Sequence, residues 1–99
     1  MERLYIAVIS KDPESDYGIH FPDFPGCVSA GDDVEDAVRM GREALAGHIE
    51  VMAESNEPIP EPTAVENLTD EDTDDSLVLV MVPASVPGRA KRVNVTSTK

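Results

Sequence analysis

Ninety-nine residues make one domain's worth of chain, with room for a single small core. Apolar residues at 40% and charged residues at 28% exclude disorder throughout, while 4% aromatics and no Trp make that core aliphatic. Twenty acids against eight bases leave a formal charge of -12, which repels nucleic acid from the bulk of the chain and draws basic partners.

Cys27 is the only cysteine, so no intrachain disulfide and no four-thiolate metal site can form, and a reducing, cytoplasmic setting is the expectation. The opening MERLYIAVIS lacks a basic region followed by an apolar one, so no signal peptide is expected. Leu77 to Val82, the longest aliphatic run, is far short of the roughly 20 residues a membrane helix needs.

Leu4 to Ile9 is apolar on both alternating sets, which predicts a central strand covered on both faces. Ser10 to Asp16 reads as a turn, because Pro13 fixes φ and the Asp and Ser side chains bond local backbone. Tyr17, Ile19 and Phe21 alternate with Gly18 and His20 in a second strand ending at Pro22. Phe24-Pro25-Gly26 then turns the chain into a short third strand, Cys27 to Ala30.

Gly31 breaks that strand and Asp33 is placed as a helix N-cap, with Glu35 and Asp36 in the first turn where acids suit the dipole. Val34, Val38, Gly41, Leu45, His48 and Met52 recur at helical spacing, predicting a helix of about twenty residues that ends near Asn56. Gly41 and Gly47 each cost about 1 kcal/mol relative to Ala, which hints at close backbone contact. The three prolines of residues 57–62 enforce an extended stretch, and Thr63 to Leu68 offers one more short helical turn. Leu77 to Val82 supplies a fourth strand, completing an α+β order of β-β-β-α-β. The predicted domain covers residues 1–83, a linker 84–90, and a basic strand 91–99. All twenty acids fall within residues 1–88, whereas residues 89–99 hold Arg89, Lys91, Arg92 and Lys99 and no acid.

Few chemical motifs survive scrutiny. Residues 70–75 place oxygen ligands at positions 1, 3 and 5 of a calcium loop, but Asp75 replaces the required Gly and Met81 the closing Glu, leaving a solvated acidic loop. His20, Asp23 and Cys27 supply the inventory of a thiol nucleophile, its base and an orienting acid, although spacing alone is weak evidence and a packing thiol is the commoner case. His48 falls on the helix's apolar stripe. There is no i, i+4 histidine pair, glycine-rich phosphate loop or GxSxG elbow, so neither catalysis, metal nor cofactor is expected.

The run from Tyr17 to Ala37, YGIHFPDFPGCVSAGDDVEDA, resembles the signature of HicB-type antitoxins. Pro58 to Pro62 is similar to the family's proline-rich stretch, Leu77 to Val82 to its strand, and Gly88 to Thr96 to the lead into its DNA-binding part. The resemblance implies a partial ribonuclease-H-like fold, in agreement with the β-β-β-α-β order. It also implies an antitoxin that neutralises a small, basic, HicA-type ribonuclease toxin and, with it, represses its own operon. The nuclease chemistry of a ribonuclease-H fold does not carry over, since Leu4 to Ile9 bears none of the carboxylates two metals would need.

Within the matching motif, Asp23 is expected as a charged toxin contact, Phe24 as an apolar anchor, and Pro25 with Gly26 as the rigid turn presenting them; the equal alternative is that Phe24 belongs to the core and Pro25-Gly26 is only a turn. Where family members continue into two helices of a ribbon-helix-helix dimer, Arg92, Asn94 and Thr96 would point at base edges, with Val93 and Val95 in the dimer core. This chain stops at Lys99, which favours reading it as a fragment, and its operator binding is expected to be weak or absent. A homodimer or higher homo-oligomer is expected. The alternative function is an orphan oligomeric binding domain with no toxin.

Overall fold

The computed structural model describes residues 1–11, 13–69 and 76–87. Its elements are β1 (Glu2–Lys11), β2 (Tyr17–His20), β3 (Val28–Gly31), α1 (Val34–Glu54) and β4 (Ser76–Ser85), with a single 3-10 turn at Val65–Asn67. The four strands form one antiparallel sheet in the order β3-β2-β1-β4. This is the expected α+β arrangement, and the most apolar strand lies inside it, flanked on both edges.

The helix forms where its cap predicts. Asp33, extended at φ −149°, accepts a hydrogen bond from the Asp36 N–H at 2.7 Å, satisfying one of the orphan donors of the first turn. The Asp36 carboxylate in turn accepts from the Asp32 N–H at 3.0 Å. The helix ends at Glu54, and Asn56 turns the chain away at φ 59°, a left-handed conformation that Asn tolerates better than most residues. Ala37, Gly41, Leu45 and Ile49 face the sheet and meet Tyr5, Ala7 and Ile9 of β1 and Ile19 of β2 in one cluster. Phe21, Phe24, Cys27 and Val82 complete it.

Two glycines sit where backbones approach. A Cβ on Gly31 would lie 2.3 Å from the Ala37 nitrogen, so the chain can fold straight from β3 into α1 only with a bare backbone there. Gly41 packs on Ile19, as its cost to the helix suggested, with a Cβ falling 2.7 Å from the Ile19 Cδ1. Gly47 departs from the expectation: nothing lies within 4 Å of its Cβ position.

Other differences are local. β2 and β3 are registered as Tyr17↔Gly31 through His20↔Val28, so β3 begins one residue later than predicted and includes Gly31. β4 runs on through Pro83 to Ser85, beyond the predicted end at Val82 and into residues assigned to a linker. Proline is tolerated because β4 has an outer edge on which no ladder bond is required. Ala84 and Val86 are buried, and the Val86 N–H donates to the Met1 carbonyl at 2.8 Å. The acidic run 70–75 and the basic strand 91–99, with Arg92, Asn94 and Thr96, lie outside the described residues.

Candidate functional site

The segment from Phe21 to Cys27 is two consecutive tight turns. The Phe24 N–H donates to the Phe21 carbonyl and the Cys27 N–H to the Phe24 carbonyl, both at 2.9 Å. In the second turn Pro25 fixes the first corner and Gly26, at φ 90°, the second, the combination a type II turn requires. Pro25 and Gly26 are exposed at its tip.

Phe24, expected as an apolar anchor, points inward and is 1% exposed. Its ring meets Tyr5 edge-on at 4.8 Å between centroids and His48 at 5.8 Å. It therefore holds the turn against the core from below. A buried aromatic between two polar-tipped rings explains why His48 occupies an otherwise apolar stripe.

Asp23 is half-buried and faces the proline-rich stretch. Its carboxylate accepts hydrogen bonds from the Thr63 N–H at 2.9 Å and from the Thr63 hydroxyl. Two further contacts fasten the same stretch: the Tyr5 hydroxyl donates to the Pro60 carbonyl at 2.8 Å, and Arg3 pairs with Glu61 at 3.2 Å. The last is largely solvent-exposed on the Glu61 side and adds little on its own. Residues 57–63 thus form a strap across the end of the sheet, with the exposed turn beside it. Thr63 and Tyr5 carry no sequence signal for this role beyond the prolines that keep the strap extended.

The helix and the strap expose more acids than bases. α1 exposes Glu35, Glu43, Glu50 and Glu54 to solvent, and Glu57 and Glu61 continue the negative surface along the strap. Arg39 is paired with Asp36, and Arg42 is exposed on the same helix among these acids.

Nothing here is arranged for nucleophilic catalysis. Cys27 is in the core, where burial pushes its thiol pKa up, away from the thiolate a nucleophile needs. His20 alternates onto the opposite face of the sheet, so His20 and Cys27 do not face each other. No cluster of three metal-ligating side chains occurs among the described residues. No described helix is long and apolar enough to cross a membrane.

Comparison with known proteins agrees with this geometry. A family model described as the HicB-like antitoxin of bacterial toxin–antitoxin systems matches residues 5–99. A 14.9 kDa protein of the rep–hol intergenic region of Haemophilus phage HP1 is 31% identical over 96 residues, covering 94% of this chain and 71% of that protein. Among solved structures, the N-terminal domain of the Burkholderia pseudomallei antitoxin HicB superposes with a TM-score of 0.66 at 32% identity, over 89% of this chain and 100% of that one. A chain of a HicA3 and HicB3 toxin–antitoxin complex gives a TM-score of 0.60 at 25% identity, over 87% and 100%.

Proposed function

Since the chain belongs to the HicB-like antitoxins of bacterial toxin–antitoxin systems, we propose that it acts in the cytoplasm by binding a small basic ribonuclease toxin of the HicA type and blocking its RNA surface, with no catalysis of its own. One observation carries this reading: every acid lies in residues 1–88, and the helix and strap hold many of them out to solvent. Carboxylates on a folded surface then stand in for RNA phosphates, raising association rate and specificity through complementary potential. The tip formed by Pro25 and Gly26 enters the toxin surface, Asp23 beside it supplies a charge through lone pairs left over from Thr63, and Phe24 keeps the turn rigid from inside. We further propose that the protein self-associates, and that Arg92, Asn94 and Thr96 read an operator when the helices that follow such a strand in the family are present, giving autoregulation.

The test is co-purification with the product of the adjacent reading frame, followed by titration at increasing NaCl. A complex whose dissociation constant rises steadily with salt, and which stops RNA cleavage by the partner, is the expected result. An associate that is acidic, or binding indifferent to salt, overturns the reading. Asp23→Lys should weaken that complex more than Thr63→Val does; equal losses would mean that Asp23 acts only by holding the strap.

A further inference from the structure

α1 carries a second apolar stripe that its own chain leaves bare. The residues that meet the sheet are Ala37, Gly41, Leu45 and Ile49. Met40, Ala44, Gly47 and Val51 step along the flank of the same helix by 4, 3 and 4, the spacing of a seam that receives another helix. Ala44 packs partly on the core, but Met40 is 38% and Val51 60% exposed, and nothing lies within 4 Å of a Cβ built on Gly47. A glycine there costs the helix about 1 kcal/mol and makes no close contact within the chain that would require it.

We propose that this flank of α1 receives a helix of the basic toxin, with the closest approach at Gly47. The inference rests on the toxin partnership proposed above and gives it a surface and a partner element.

Shape suits a helix. From Met40 to Val51 the seam runs for about 16 Å, three turns. Its middle, Ala44 and Gly47, is low, so a second helix axis can come to the short end of the usual range of about 8–10 Å, while Met40 and Val51 contact it on either side. Close contact at Gly47, expected from its cost to the helix and absent within the chain, is then made with the partner.

Charge selects that partner. Glu43, Glu50 and Glu54 line the solvent side of the seam, and all three are exposed. Of the two helix arginines, Arg39 is tied to Asp36, and Arg42 lies round toward the end of β4, where it lines a groove with Pro83 and Val86. A second copy of the chain would set two acidic rows against each other. A cationic helix with Lys or Arg beside an apolar stripe meets both parts of the surface. The seam also adjoins the turn proposed as a toxin contact: His48, one helical turn beyond Ala44, meets the Phe24 ring at 5.8 Å.

Gly47 allows binding to be separated from folding. Its side-chain position is open in the free chain, so Gly47→Ala and Gly47→Gln should melt no lower than wild type. Affinity of the full chain for the product of the adjacent reading frame, measured by calorimetry, should fall with side-chain size, a few-fold for Gly47→Ala and on the order of thirtyfold for Gly47→Gln. Val51→Lys should bring a similar loss by setting a like charge against the cationic partner. Ala46→Gln, exposed on the other flank beside β4, should bind as wild type does. Undiminished binding of Gly47→Gln, or an equal loss in Ala46→Gln, overturns this surface and leaves the toxin partnership standing. A wild type that binds no basic neighbour overturns the partnership and this surface with it. If Gly47→Gln instead turns a dimer of the free chain into monomers while toxin affinity is unchanged, the seam belongs to a second copy and not to the toxin.

Discussion

Thr63 grips Asp23 from forty residues away, offering both its backbone N–H and its hydroxyl to the one carboxylate. Neither oxygen of Asp23 is left without a donor, so the turn and the strap become one rigid piece. Thr63→Val keeps the shape and removes the hydroxyl bond. It should cost about 1–2 kcal/mol, because a partly buried charged acceptor loses one of its partners. Asp23→Asn, which cannot accept at both positions, should cost at least as much. Urea unfolding midpoints measure both, and unchanged midpoints would mean the clasp contributes nothing to stability.

Gly41 and Gly47 lie on the same helix and should answer oppositely to alanine. At Gly47 the open space lets the helix gain about 0.5–1 kcal/mol from the better propensity of Ala. At Gly41 the new methyl meets Ile19, and overpacking of about 1–3 kcal/mol outweighs that gain. Ile19→Val, which removes the Cδ1 atom in the way, should recover part of the loss in the double variant. Thermal melts of the four proteins form the test; a stabilising Gly41→Ala would show that Ile19 shifts freely.

Alkaline pH should weaken the fold through two buried acids. Burial raises the Tyr5 hydroxyl above its ordinary 10.0, with the Arg3 side chain opposing, and burial raises the Cys27 thiol above its ordinary 9.0. Both are therefore more protonated folded than unfolded, so the native state binds the extra protons. Their contribution is fully present below about pH 9 and is lost as pH climbs through 9 and 10 toward the folded values. Tyr5→Phe should flatten the upper part of that decline while giving up the bond to Pro60. Denaturation midpoints between pH 8 and pH 11 read the slope, and a flat profile for the wild type would contradict the burial argument.

The thiol supplies a kinetic check. Cys27 is buried and protonated, so an aromatic disulfide reagent at pH 8 should label it only as fast as the structure opens. Full reaction in denaturant and slow reaction without it are expected. Rapid labelling of the folded chain would revive the case for a reactive cysteine.

How much was legible beforehand depended on how local the signal was. Asp33 announces the helix start because a cap is a matter of four successive residues, and the double alternation of Leu4 to Ile9 announces a central strand. The role of Gly41 was audible as a penalty without a visible cause, yet the same reasoning misled at Gly47, where no neighbour exists. The length of β4 was missed because Pro83 looks like a stop until the sheet order makes β4 an edge. Phe24 was ambiguous on sequence, since an aromatic beside Pro-Gly suits an exposed tip as well as a buried one; Tyr5 and His48, nineteen and twenty-four positions away, decide the matter. The clasp on Asp23 was out of reach altogether, as no periodicity connects residues forty apart.

Met1 and Val86 exchange backbone hydrogen bonds, the Val86 N–H donating to the Met1 carbonyl and the Met1 ammonium to the Val86 carbonyl. Met1 and Val86 thus stand side by side at one corner of the sheet. The start of β1 and the end of β4 are therefore tied to each other as well as paired along their length, so a substitution that loosens Val86 is felt at the first residue of the chain.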